Sequence, residues 1–124
     1  MTLGTVLALA GAALATILAG IGSAKGVGMA CEVGMGVLAE DSSKFGKMLV
    51  LELLPGTQGL YGFIVSFIVL TKIGVFGGSA NLATWEGGMI LAACLPIAIG
   101  GLMSASIFSL EVIFITLEKN YGKE

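Results

Sequence analysis

Three long runs of the sequence contain no charged side chain, and this feature constrains the fold more than any other. The runs are Met1–Ala24, Leu53–Thr71 and Gly87–Leu110. Each approaches or exceeds the roughly 20 apolar residues that cross the hydrocarbon core of a bilayer as an α-helix. The mean hydropathy of the chain is +1.03, and 56% of its 124 residues are hydrophobic. We therefore expect an all-α integral membrane protein.

Three polar segments separate or follow these runs, at residues 40–47, 77–88 and 118–124. We predict one transmembrane helix for each run, near residues 3–39, 47–74 and 87–117. We expect them to form a single transmembrane domain over residues 1–124. The first and third predicted helices are longer than a bilayer is thick, so their ends should project beyond it. The first run has no basic residue at its front, which indicates a retained helix rather than a cleaved signal peptide.

The positions of the lysines predict the orientation in the membrane. The first polar segment and the tail contain four of them, Lys44, Lys47, Lys119 and Lys123. The second polar segment has only Lys72 at its edge. Since positively charged loops stay on the cytoplasmic side, we expect the N-terminus outside and the 41–47 loop and the C-terminus in the cytoplasm.

Small residues follow one face of the first predicted helix. They recur every three or four residues, at Gly11, Ala15, Ala19, Gly22, Gly26, Ala30 and Gly34. Such a stripe lets a neighbouring helix approach closely, which is typical of helix packing in lipid. Its length favours repeated packing among identical copies in a ring, although tight packing within one chain explains the same pattern.

A short motif near the middle of the first helix is repeated in the third. Gly20–Ala24 reads GIGSA and Gly101–Ala105 reads GLMSA, so three of the five residues are identical. The likeness suggests a duplicated helical hairpin, with the second copy beginning at the third helix.

The second run contains polar residues that are costly in hydrocarbon. At helical spacing they share one face, made by Leu54, Thr57, Gln58 and Tyr61. Pro55 has no N–H group, so we expect the carbonyl of Leu51 to lose its helical partner and the helix to kink there. The spacing therefore predicts that a main-chain oxygen, a hydroxyl, an amide and a phenol converge within the membrane.

The spacing leaves open two functions for neutral oxygens at this depth. They can bind a small hard cation, or hydrogen-bond a protonated acid. Equally, they can hydrogen-bond neighbouring helices for assembly alone. Glu52 is a weaker candidate, because it lies roughly opposite this face and close to Lys47. We expect its side chain to extend to the cytoplasmic interface or to stay protonated there.

Several function classes are disfavoured by the composition. Histidine and arginine are absent from the sequence, and no GxxxxGK[ST] motif is present to hold nucleotide phosphates. The net charge of −2 gives no reason to expect nucleic acid as a partner. Cys31 and Cys94 lie in apolar segments without metal-binding spacing, so we interpret them as buried thiols. We expect no cofactor and no catalytic residue in this chain.

Two stretches carry a resemblance to a known family. AGIGSAKGVGM at Ala19–Met29 and LLPGTQGLYGF at Leu53–Phe63 resemble the rotor-ring proteolipids of V-type ATPases, of the bacterial subunit K type. LPIAIGGLMSA at Leu95–Ala105 extends the likeness. It implies a ring of identical subunits in a bacterial plasma membrane, turning against a stator subunit and attached to a central stalk.

The resemblance also implies an ion site and a transported ion. Na⁺ or H⁺ would cross the membrane, bound by the main chain of Leu54 and the side chains of Thr57, Gln58 and Tyr61. The family differs from this sequence in having four helices, with its essential carboxylate on the fourth. A further glutamine expected on the third helix falls at Phe108, and Glu52 stands where the family often has glutamine. The alternative is thus a truncated or divergent proteolipid that supports assembly without transporting ions. A small holin-like channel would leave the PGTQG motif unexplained.

Overall fold

The computed structural model describes residues 1–78 and 81–122 as a bundle of long helices. Four α-helices follow one another along the chain: α1 (Leu3–Glu40), α2 (Phe45–Leu53), α3 (Thr57–Lys72) and α4 (Thr84–Tyr121). Three stretches are long and apolar enough to cross a membrane, namely Leu3–Glu40, Ser42–Lys72 and Thr84–Lys119. The prediction of an all-α membrane protein with three transmembrane helices is confirmed for the described residues.

α1 begins at Leu3, the predicted position, whereas the other helix ends differ from the predicted ends by one to four residues; local capping explains two of these differences. α4 begins at Thr84 rather than 87, because the Glu86 Oε2 atom accepts a hydrogen bond of 2.9 Å from the amide of Ala83. α3 ends at Lys72 rather than 74, close to Gly74, whose positive φ of 81° is a conformation that stops helices. Ser79 and Ala80 of the predicted polar segment, and Lys123 of the tail, lie outside the described residues.

α1 is the central helix of the bundle, and its stripe of small residues faces the other two spans of the same chain. All seven residues of the stripe are buried. A Cβ added at Gly22 would lie 2.6 Å from the Cα of Leu102, and one at Gly26 would lie 2.6 Å from the carbonyl oxygen of Ala105. The stripe therefore allows close backbone approach between helices of one chain. The sequence had left two explanations open, and this one is tight packing within a single chain.

α1 and α4 run parallel, with their repeated motifs side by side. Near one end Gly4 packs against Gly87, and near mid-span Ala19 packs against Gly101. Equivalent positions of the two GxxSA motifs therefore lie at the same depth in the bundle. This arrangement fits a duplicated hairpin, which stays a prediction.

The second span bends through a 3-10 turn, Leu54–Gly56, that joins α2 to α3. Pro55 is buried within this turn. The carbonyl of Leu51 is not left without a partner, because the amide of Leu54 donates to it. Pro55 does deprive this carbonyl of its α-helical partner, as predicted, and the 3-10 turn supplies a donor one residue earlier in its place.

Candidate ion site in the second span

Three of the four oxygens predicted to converge do meet directly after the 3-10 turn. The hydroxyl of Thr57 lies 2.9 Å from the carbonyl oxygen of Leu54 and 3.2 Å from the Oε1 atom of Gln58. The Leu54 carbonyl also accepts the amide of Thr57. We call these three oxygens the oxygen cluster. Thr57 lies at the middle of the stretch from Ser42 to Lys72, which is long and apolar enough to cross a membrane.

The members of the predicted face differ in exposure. The side chain of Gln58 is 9% exposed, whereas those of Leu54 and Tyr61 are 39% and 53% exposed. Thr57 is exposed as well. Tyr61 lies one turn further along α3, and its hydroxyl does not join the other three oxygens. The oxygen cluster therefore lies at the edge between the interior of the bundle and its outer surface, where an adjoining helix can reach it.

Glycines hold α3 against α1 and so fix the position of Gln58. A Cβ at Gly62 would overlap the carbonyl oxygen of Ala15, and one at Gly59 would lie 3.0 Å from the Cβ of Ser23. Larger side chains at either position would push the two helices apart. Because both glycines lie within little more than one turn of Gln58, they determine how deeply its amide is buried.

A polar contact one turn beyond Gly62 ties the same two helices together. The hydroxyl of Thr16 lies 2.6 Å from that of Ser66, which is buried. The Ser66 hydroxyl also lies within hydrogen-bond distance of the carbonyl oxygens of Ala12 and Gly62. Hydrogen bonds between transmembrane helices contribute about 0.6 kcal/mol on average. This pair escaped the sequence analysis, because isolated serine and threonine residues are common in transmembrane helices.

Glu52 points away from the oxygen cluster and into α1. Its Oε2 atom accepts a hydrogen bond of 3.5 Å from the thiol of Cys31, and its Oε1 atom is buried without a partner among the described residues. Gly34 leaves the space that Oε1 fills, since a Cβ there would overlap it. Of the two alternatives predicted for Glu52, extension of the side chain to the membrane surface is wrong, because the gap at Gly34 admits it to the interior; the other alternative stays a prediction.

The oxygen cluster has the chemistry of a site for a hard cation or a proton-bearing group. Carbonyl, hydroxyl and amide oxygens are the ligands that such cations prefer. Within the cluster the donors to the three oxygens are the hydroxyl and the main-chain N–H of Thr57. Oxygen lone pairs therefore remain available to bind a cation. Among the described residues the cluster contains no carboxylate, which means that it contributes neutral ligands rather than a balancing charge.

Comparison with known proteins identifies one matching family and two similar proteins. A model of the ATP synthase C-subunit family matches residues 10–69, which include the oxygen cluster. The chain is 46% identical over 101 residues to the V-type sodium ATPase subunit K of Enterococcus hirae, an alignment that covers 82% of the chain. It is 49% identical over 65 residues to the A-type ATP synthase subunit K of Methanocaldococcus jannaschii, which covers 52% of the chain.

Both relatives are longer than the part that this chain matches. The alignments cover 62% of the Enterococcus protein and 30% of the Methanocaldococcus protein. Part of each relative is therefore left without a counterpart in the alignment.

Proposed function

Because the chain belongs to the ATP synthase C-subunit family, we propose that it is a rotor-ring proteolipid of a V-type ATPase that takes part in moving Na⁺ or H⁺ across the membrane. The observation that carries this proposal is the oxygen cluster of Leu54, Thr57 and Gln58 at mid-span. A bare polar cluster is costly at this depth, and intramembrane polar groups commonly mark ion pathways.

In this proposal each member of the site has a distinct role. The Leu54 carbonyl and the Thr57 hydroxyl replace part of the hydration shell of the ion, and Gln58 completes the inner side. Tyr61 closes the site from the outer surface. An acidic group from an adjoining helix of the assembled ring balances the charge. Once neutral, the loaded site can pass through lipid, because an unpaired charge there would cost several kcal/mol.

Assembly into a ring is part of the same proposal. Gly20, Gly28 and Gly36 lie on α1 at intervals of eight residues, and a Cβ added at any of them would contact nothing within 4 Å. Such open small-residue positions suit the close approach of copies of the same chain. The stator subunit, the central stalk and membrane lipid are the further partners that we propose.

The proposed orientation places the N-terminus outside and the 41–47 loop and C-terminus in the cytoplasm of a bacterial cell. Lys44, Lys47 and Lys119 border one cavity and so lie at one end of the bundle. The hydroxyl of Thr2 lies 2.7 Å from the carbonyl oxygen of Leu82, at the other end. This clustering of lysines supports the orientation through the positive-inside rule.

A second candidate is a proteolipid that supports assembly and transports no ion itself. The direction of Glu52 favours it, because that carboxyl group is bonded to Cys31 and does not join the oxygen cluster. Labelling with a hydrophobic carbodiimide separates the two candidates. Labelling of an acidic residue of the assembled ring that Na⁺ prevents favours transport, and at Glu52 it would make Glu52 the working acid. Absence of any such labelling favours the structural role.

Two matched threonines test the ion site. Thr57 and Thr71 each lie exposed on α3, and each hydroxyl donates to the carbonyl three residues earlier, at 2.9 and 2.7 Å. Replacing either by valine removes the same local bond, but only Thr57→Val removes an oxygen from the cluster. We expect Thr57→Val and Gln58→Ala to weaken ²²Na⁺ binding by the purified assembly about tenfold, which is about 1.4 kcal/mol.

The control variant Thr71→Val should bind ²²Na⁺ as the unmodified protein does. If the transported ion is H⁺, the same variants should shift the pH at which proton uptake by the assembly is half complete. Equal ion binding and equal proton uptake in all three variants would show that the oxygen cluster is not the site.

A further inference from the structure

A groove at one end of the bundle combines positive charge with an apolar wall. It has a volume of about 590 Å³ and lies between the start of the second span and the end of α4. Lys44, Lys47 and Lys119 border it. The apolar residues of its wall come from α2, namely Met48, Val50 and Leu51. We call it the lysine groove.

The charge of the lysine groove is only partly balanced within the chain. Lys44 forms an ion pair of 3.7 Å with Asp41. Lys47 and Lys119 are exposed and take part in no ion pair within residues 1–78 and 81–122. Glu118, beside Lys119 in the sequence, is exposed as well. The groove therefore presents two lysines that are available to an anion from outside the chain.

The position of the groove in the membrane determines which anion fits. Lys119 ends the third span, and Lys47 lies near the start of the second, so both lie where helices leave the hydrocarbon. Val50 and Leu51 continue from Lys47 along α2 towards the membrane interior. A ligand that fills the groove must then be anionic at its outer end and apolar at its inner end, which describes a phospholipid with an anionic headgroup.

We propose that the lysine groove binds one anionic phospholipid, with its phosphate at Lys47 and Lys119 and the start of an acyl chain against Met48, Val50 and Leu51. The proposal does not depend on ion transport, because it rests on a different part of the chain. It predicts selectivity for the headgroup and dependence on the shape of the groove. These two properties distinguish a bound lipid from a diffuse attraction between lysines and an acidic membrane.

Gly46 offers a way to fill the groove without altering its charge. It lines the groove, and a Cβ added there would contact nothing within 4 Å. Leucine is also a better helix former than glycine. The variant Gly46→Leu should therefore fold, keep every lysine and occupy the space that the lipid needs.

The experiment is native mass spectrometry of the purified protein with added phosphatidylglycerol or phosphatidylcholine of the same acyl chains. We expect bound phosphatidylglycerol in preference to phosphatidylcholine. Each of Lys47→Gln and Lys119→Gln should lower its retention about fivefold, and Gly46→Leu should lower it at least as much. Lys72→Gln, which removes a lysine at the opposite end, is the matched control and should retain the lipid.

Four results would overturn the proposal. One is equal retention of the two lipids, and another is loss of lipid in Lys72→Gln to the same extent as in the groove variants. The third is full retention in Gly46→Leu, which would show that surface charge alone holds the lipid. Circular dichroism of each variant checks that the helices are intact. If the lysine variants keep the lipid but fail to join a larger protein assembly, the groove is a protein contact and the proposal is wrong.

Discussion

Replacing Gly22 by alanine tests whether α1 and α4 are held by backbone contact. The added Cβ would lie 2.6 Å from the Cα and 2.7 Å from the carbonyl oxygen of Leu102. These are backbone atoms, so the helices must separate along this stretch. Overpacking of this kind costs about 1–3 kcal/mol. Gly20 is the matched position two residues earlier on the same helix, where an added Cβ would contact nothing within 4 Å.

The comparison of the two variants isolates the packing cost. Each substitution gains up to about 1 kcal/mol from the better helix propensity of alanine, and this gain cancels in the difference. We therefore expect Gly22→Ala to be less stable than Gly20→Ala by about 1–3 kcal/mol. Trp85, the single tryptophan, lies at the start of α4. The start of α4 packs against the start of α1. Its fluorescence can follow denaturation by SDS in mixed micelles at dilutions where the chain is monomeric. Equal stability of the two variants would refute close contact between these helices.

Three further predictions concern contacts outside the α1–α4 interface. Ser66→Ala should destabilise the protein by about 0.5–1.5 kcal/mol. A double-mutant cycle with Thr16→Val should give a non-zero coupling energy, and additive effects of the two substitutions would contradict the interhelical hydrogen bond. Gly34→Ala should displace the carboxyl group of Glu52, because the added Cβ would overlap it; since this group is the far end of a flexible side chain and can move, the cost should stay below about 1 kcal/mol and should disappear in a Glu52→Ala background. Hydrogen bonds from the following 3-10 turn lower the pKa of Asp41, so its contribution to stability is present above the usual pKa of aspartate and is lost as the pH falls through the lowered value. The protection factors of the amides in that turn, which correct for the intrinsic pH dependence of exchange, should fall at low pH, and unchanged protection there would contradict the capping role.

Much of the fold could be predicted because it depends on spacing within single helices. Three uncharged runs of membrane length correspond to three spans, and the recurrence of small residues from Gly11 to Gly34 identified the buried face of α1. The meeting of Leu54, Thr57 and Gln58 also follows from local spacing, since all three lie within two turns. Patterns of this kind need no knowledge of how the helices are arranged.

The wrong prediction concerns a side chain whose partners lie on another helix. Glu52 contacts Cys31 and fills the gap at Gly34, which belong to another helix, so its own sequence surroundings contained no sign of either. The new partner of the Leu51 carbonyl was not predicted either. Pro55 removes the α-helical donor, and the helix tightens to a 3-10 turn in which the amide of Leu54 donates instead.

Packing and ion binding are coupled in α3 because they use adjacent faces of one turn. Gly59 and Gly62 contact α1 through positions that a single methyl group would overfill, so the rotation of α3 about its axis is set by these contacts. Gln58 directly precedes Gly59 and is buried by the same approach of the two helices. A change that rotates α3 must therefore move the amide of Gln58 relative to the carbonyl of Leu54, even if every oxygen is retained. The close packing of glycines is thus a condition for the geometry of the oxygen cluster, and neither can vary without the other.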